Sequence, residues 1–374
     1  MLWQKLTNGT MITPNSFMNP VYGIEEKQAV IDYINSDGWL MEFNKTKELE
    51  KLIIDFTGST YCSMTTSCTV ALFLVCLAIE LKAGDEVLMP AYTQAATANG
   101  AKMCGADIVF CDVDPVSYTI SYEEIQKNFS NKTRAIFITS INGRYPFNIE
   151  EIIQWCKDHN LWVIEDSAQA LGCYANNKHI GTFGDFGCFS FGAPKMITTG
   201  QGGAIISNNK KMIDKINAIK NFGRIVDIGE VYNVFGLNFK FTDLQAAFGI
   251  EQMKKLPDIL VKKKQIYNWY RGHLKHPKIK FPKTEKGAVP VFADVLFENE
   301  EWRNVIAKEL GEVGIGCRAV YTPLNKSPLY KNINNAYTPI ADYIGRRGLQ
   351  LPAQSNLNEN DIKQITNHIL SWVT

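Results

Sequence analysis

Residues Gly181–Gly203 read GTFGDFGCFSFGAPKMITTGQGG. An aromatic run (Phe186, Phe189, Phe191) is followed by one lysine, Lys195, between Pro194 and Met196. A glycine-rich turn then leads into the apolar strand Ala204-Ile205-Ile206. A lysine between apolar strands is poorly placed for a solvated role. Desolvation lowers an amine's pKa and frees it for Schiff-base chemistry. The alternative is a loop lysine whose stem packs on the aromatics while its ammonium stays in water. Partners elsewhere in the chain must decide.

Working outward, apolar runs that read as strands alternate with helical stretches. Glu86–Met89, Asp107–Asp112, Arg134–Ser140, Leu161–Glu165 and Ala204–Ser207 read as strands. Residues 24–36, 46–57, 95–104, 149–159 and 210–221 read as helices. Continuous apolar strands separated by helices predict an α/β fold with a mostly parallel sheet sandwiched by helices. From Thr242 a long helical stretch extends to about Leu274, with a break expected at Pro257. Strand-like Val289–Leu296 follows, then a helix near Trp302–Val313, the segment Gly316–Tyr321 and a terminal helix after Asn358. The division expected is a large domain over residues 1–250 and a smaller C-terminal α+β domain over 251–374.

Composition narrows the classes. The 374 residues are 45% hydrophobic with a formal net charge of +1, which gives no electrostatic case for nucleic acid or an anionic membrane. Nine cysteines without a CxxC pair suggest reduced thiols in a cytoplasmic compartment. Residues 1–15 lack the pattern of a signal peptide, and the longest apolar run, Val70 to Ile79, is about half a bilayer span.

Three further stretches carry candidate chemistry. Ser67-Cys68-Thr69 at the head of an apolar helix offers free N–H groups and hydroxyls to a phosphate, or is a plain helix cap. Asp166 ends the strand Val163-Ile164-Glu165, where open α/β sheets bind ligands; its carboxylate needs a cationic partner, a protonated pyridine or an arginine. Asp112 and Asp114 have the spacing of a metal-dependent glycosyltransferase site, although Asp-Pro after a strand favours turn chemistry. The five histidines show no ligand-like spacing, so no metal site is expected.

Taken in order, these pieces resemble the DegT/DnrJ/EryC1/StrS family of pyridoxal-phosphate-dependent sugar aminotransferases, of the fold type I class. The resemblance runs through Ser67–Leu72, Ala83-Gly84-Asp85-Glu86-Val87 and Glu165-Asp166-Ser167-Ala168-Gln169-Ala170. It continues in Gly184–Phe191, Lys195, Gly202-Gly203 and Gly236–Ala247, and ends in Tyr321-Thr322-Pro323-Leu324, Tyr330 and Leu351-Pro352. It implies that Lys195 carries pyridoxal phosphate on its amine and later shuttles a proton. Asp166 would face the pyridine nitrogen, Gln169 the ring's phenolic oxygen and Ala168 one ring face. Ser67, Cys68, Thr69 and Ser190 would hold the phosphate. Asn238 would reach the phosphate of a neighbouring subunit, which implies a homodimer with shared sites. Lysine rather than histidine at 195 implies amino transfer rather than dehydration, with L-glutamate as donor and a nucleotide-linked 4-keto (or 3-keto) deoxysugar as acceptor.

The chain departs from the family pattern at several points. Cys68 replaces a usual glycine, so φ there must stay negative. Gln94 stands where an aromatic usually stacks on the cofactor ring, and Gln201 replaces a glutamate. Arg144 and Asn325 replace a polar Gln and His. With Tyr321, these two are expected to face substrate, Arg144 through a phosphate or carboxylate. The departures at 68, 94 and 201 motivate a second reading, a cofactor-binding regulator or inactive paralogue. A metal-dependent glycosyltransferase ranks third.

Overall fold

The computed structural model describes residues 20–224, 231–330 and 336–373. The signal-peptide reading of residues 1–15 lies outside them.

The chain begins with two amphipathic helices, α1 (Ile24–Asn35) and α2 (Asn44–Thr57). Strand β1 (Tyr61–Thr65) leads straight into α3 (Cys68–Ala78), which is apolar on nearly every face and buried accordingly. Next come β2 (Glu86–Pro90), α4 (Ala95–Met103), β3 (Asp107–Cys111), α5 (Tyr122–Asn128) and β4 (Thr133–Thr139). They are followed by α6 (Ile149–Asp158), β5 (Trp162–Asp166), the small ribbon β6 (Tyr174–Ala175) and β7 (Lys178–His179), β8 (Phe186–Ser190), β9 (Gly203–Ser207) and α7 (Lys210–Lys220).

Seven of these strands form one sheet in the order β1-β9-β8-β5-β4-β2-β3. Only β9 runs antiparallel to its neighbours. Side chains alternate between two cores: in β4, Ala135 and Phe137 face α3 and α4, while Ile136 and Ile138 face α5 and α6. Both faces are therefore covered, as the continuous apolar strands require.

The second unit comprises α8 (Asp243–His273), β10 (Ile279–Lys280), β11 (Ala293–Phe297), α9 (Glu300–Glu312), β12 (Arg318–Ala319), α10 (Pro339–Arg347), β13 (Gly348–Leu351) and α11 (Glu359–Leu370). Its four strands pair antiparallel in the order β10-β11-β13-β12.

Two expectations change here. The helix expected to break at Pro257 runs unbroken as α8. Proline costs a helix interior about 3 kcal/mol, and packing at both ends outweighs it. Ala246, Ile250, Met253 and Leu256 pack in the core beside the seven-stranded sheet, and Ile266, Tyr267 and Tyr270 in the core of the four-stranded one. The domain boundary expected at 250/251 therefore falls inside a helix that serves both units.

The strand expected over Val289–Leu296 begins only at Ala293. The preceding backbone is pledged elsewhere: Val289 N–H donates to Cys173 Sγ at 3.3 Å and Phe292 N–H to Asn142 Oδ1 at 2.9 Å. Among the described residues no helix is long and apolar enough to cross a membrane.

Candidate active site

The carboxyl ends of β4, β5 and β8 lie level, because Asp166 pairs with Thr139 on one side and Cys188 on the other. Beyond β8, Gly203 opposes both Ser190 and Thr65, which draws the start of α3 to the same edge. A Cβ at Gly203 would come within 2.5 Å of Cys68 N, so only glycine permits this approach. The result is a cavity of about 240 Å³ at the sheet's C-terminal edge.

Its lining brings together Ser67, Cys68, Thr69, Gln94, Asp166, Ala168, Gln169, Ser190, Lys195 and Tyr321, residues up to 254 positions apart (from 67 to 321).

Lys195 is half-buried, and its amine donates no hydrogen bond to a described residue. Burial lowers its pKa, against the charges of Cys68 and Asp166, which raise it. Asp166 is buried at the tip of β5. Burial pushes its carboxyl upward, while the Thr97 hydroxyl (2.6 Å), the Ala168 N–H (3.2 Å) and the Lys195 charge pull it down. Ser67 caps α3 by accepting from Val70 N–H at 3.2 Å. The N–H groups of Cys68 and Thr69 are thus left facing the cavity with the positive end of the helix. Cys68 is not among the residues with positive φ, so its side chain is tolerated. Gln94 is exposed at the rim and caps α4 through Ala96 N–H at 2.6 Å. Gln201 also lines the cavity.

These groups fit pyridoxal phosphate. One cavity holds an amine short of partners among the described residues, a buried carboxylate, an amide, and a helix start with two N–H groups beside the Ser190 hydroxyl. The buried Ser140 and Ser167 hydroxyls, both without partners, stand at the same strand ends.

Two residues expected to face substrate lie elsewhere. Arg144, expected to face substrate, is 2% exposed and does not line the cavity. Its Nη1 and Nη2 donate to Asp294 Oδ2 at 3.1 and 3.2 Å and its Nε to Ser117 O at 3.0 Å. A guanidinium so engaged offers nothing to a ligand. Asn325 is buried too, its amide donating to Ala336 O and Thr338 Oγ1. Asn238 is exposed and outside this chain's own cavity. The Asp112–Asp114 pair does turn and cap work: Asp112 accepts from Ile340 and Ala341 N–H at the start of α10, and Asp114 from Val116 and Ser117 N–H. No group of metal-binding side chains occurs among the described residues.

Two residues of the site carried no individual signal in the sequence. Thr97, the hydroxyl on Asp166, sits in an unremarkable small-residue helix. Arg318 lines the cavity, its guanidinium 5.0 Å from the Tyr321 ring centre. It is the cavity's second cation, and its one hint was its place just before Tyr321-Thr322-Pro323.

Comparison with known proteins agrees with this geometry. The model of the DegT/DnrJ/EryC1/StrS aminotransferase family matches residues 21–370. GDP-perosamine synthase of Escherichia coli O157:H7 is 31% identical over 351 residues, 92% of this chain and 94% of that one. GDP-perosamine synthase of Vibrio cholerae is 30% identical over 93% and 96%. Among solved structures, Helicobacter pylori PseC, an aminotransferase of pseudoaminic acid biosynthesis, superposes with a TM-score of 0.89 at 25% identity, covering 95% of this chain and 98% of that one.

Proposed function

The chain belongs to the DegT/DnrJ/EryC1/StrS aminotransferase family, as a pyridoxal-phosphate-dependent sugar aminotransferase of fold type I, and we propose that it moves the amino group of L-glutamate onto a nucleotide-linked 4-keto-6-deoxysugar. The observation that carries this reading is the half-buried Lys195 amine, which donates no hydrogen bond to a described residue, in one cavity with Asp166 and Gln169. A regulator would not need that unsatisfied, deprotonation-prone amine.

Bound there, pyridoxal phosphate supplies an aldehyde for amines and a ring that accepts an electron pair. Asp166 holds a positive charge at the ring nitrogen, steadied by Thr97. Gln169 would donate its amide N–H to the ring oxygen, and Ala168 would pack against the ring. The N–H groups of Cys68 and Thr69, with Ser67 and Ser190, hold the phosphate. Lys195 takes and returns the proton at the substrate carbon; burial lowers its pKa, which favours the neutral, basic form of the amine. Arg318 is the cavity group suited to the carboxylate of glutamate, and takes the place of Arg144, expected from sequence to make a phosphate or carboxylate contact with substrate.

We further propose a homodimer in which Asn238 reaches the partner's cavity. Phe235 is 81% exposed, with Val231, Tyr232 and Leu237 exposed near it in sequence, an apolar cluster of the kind that suits a protein–protein contact. The division into two domains, hinged within α8, and a cytoplasmic location, with nine free thiols, belong to the same reading. GDP is the first nucleotide to try, because two relatives are GDP-perosamine synthases.

The test is a screen of GDP-, UDP- and dTDP-linked keto sugars with glutamate, read by mass. An amino sugar from one of them supports the proposal. Glutamate that fails to convert bound cofactor to its amine form, with purified holoenzyme, would sink it.

A further inference from the structure

The cofactor reading makes Gln169 a donor to the ring oxygen, yet a primary amide can present either its oxygen or its nitrogen. We infer that Asn142 settles this choice and is a positioning residue for Gln169. The inference rests on the cofactor reading above.

Asn142 lies in the turn Ile141–Gly143 that follows β4, and it is fully buried. Its backbone N–H donates to Gln169 Oε1 at 2.8 Å. A backbone N–H can only donate, so the bond holds the amide oxygen outward and turns the NH2 group to the cavity side. There it now donates to Tyr321 Oη at 2.9 Å. A flipped amide would set N–H against N–H and lose the bond from Asn142, whereas Tyr321 Oη can pair with either end of the amide.

Asn142 presents this N–H from a left-handed turn, at φ 51°, followed by Gly143 at φ 77°. Asparagine tolerates this left-handed conformation better than branched or aromatic side chains do. Its side chain secures the turn from behind. Nδ2 donates to Phe292 O at 2.8 Å, and Oδ1 accepts from Phe292 N–H at 2.9 Å. Two residues further along both segments, Arg144 binds Asp294. The turn is thus sewn to the entry of β11 at 142–292 and 144–294. A cavity group of the large domain is held in register with the small domain, which supplies Phe292 and Tyr321 to the same cavity.

Asn142→Gly tests this, because it keeps the N–H and allows the φ value while deleting both side-chain bonds. The apo-protein is titrated with pyridoxal phosphate by visible absorbance in a cycle with Gln169→Ala. Asn142→Gly is expected to weaken cofactor binding about fivefold when Gln169 is present and less than about twofold when it is absent. A purely architectural role would give the same factor in both backgrounds, and that result overturns the inference. If Asn142→Gly does not fold, Asn142→Asp, which keeps the acceptor for Phe292 N–H, takes its place in the cycle under the same criterion. If Gln169→Ala alone leaves binding unchanged, the ring-oxygen assignment fails and the inference falls with it; an effect of Gln169 with equal factors for Asn142 defeats the inference alone.

Discussion

The cavity and the clasp at residues 142–144 and 292–294 hold the same kinds of group: a cation, a carboxylate and a primary amide, all buried or half-buried. They differ in whether cation meets anion. In the clasp, Arg144 binds Asp294 and a carbonyl, and Asn142 pairs with the backbone of Phe292. In the cavity, Lys195 and Asp166 feel each other's charge without a hydrogen bond between them. Burying an unpaired charge is expensive, so a fold keeps such groups only where a ligand completes them. Closed pairs fasten the turn after β4 to the entry of β11; open ones await chemistry.

Four measurements would break or sharpen that contrast. The largest effect belongs to Lys195→Ala, which should lower turnover at least about 10³-fold and abolish the absorbance of lysine-bound cofactor. Its apo-protein should melt no lower than wild type, since a desolvated amine is removed; a large fall in melting temperature would make Lys195 a structural residue. Next, Arg144→Met should cost about 3–5 kcal/mol by stranding Asp294, seen as a lower melting temperature. Arg144→Met combined with Asp294→Leu should recover most of it. A rise in KM for the sugar nucleotide with unchanged stability would instead return Arg144 to the substrate.

A smaller effect, about tenfold on turnover, is expected for Thr97→Val, which removes one hydroxyl from Asp166. Unchanged rates would place Thr97 outside the site. The smallest is a shift in pH dependence. Only the neutral amine attacks the cofactor's aldehyde, so cofactor uptake by apo-protein should rise with pH through a midpoint below 10.5, the ordinary lysine value. Because the Asp166 charge raises the Lys195 pKa, Asp166→Asn should move that midpoint lower still. Stopped-flow absorbance across pH measures both, and a midpoint at or above 10.5 would remove the desolvation argument.

Much of the large domain was legible in the chain. Strands β2, β3, β4, β5 and β9 stand within a residue or so of their apolar runs, because a strand buried on both faces is apolar throughout. Strand β8 was visible only as an aromatic run, and α10 and β13 not at all. In the small domain, the run Val289–Leu296 overreached because backbone that looked like strand bonds a turn about 150 residues away. Pro257 misled for a related reason: local cost was visible, and the packing that outweighs it was not.

The sequence alone determined the α/β layering and the order of the pieces. It also marked the unusual setting of Lys195 and the place of Asp166 at a strand's end, because periodicity and neighbouring residues are local properties. Tertiary structure alone decided which polar residues were spent and which were left open. Arg144 and Arg318 are both arginines beside motif residues, yet one is neutralised by Asp294 and the other faces the cavity. That outcome depends on what a distant segment places opposite each side chain, and so it could not be read from the residues around either arginine.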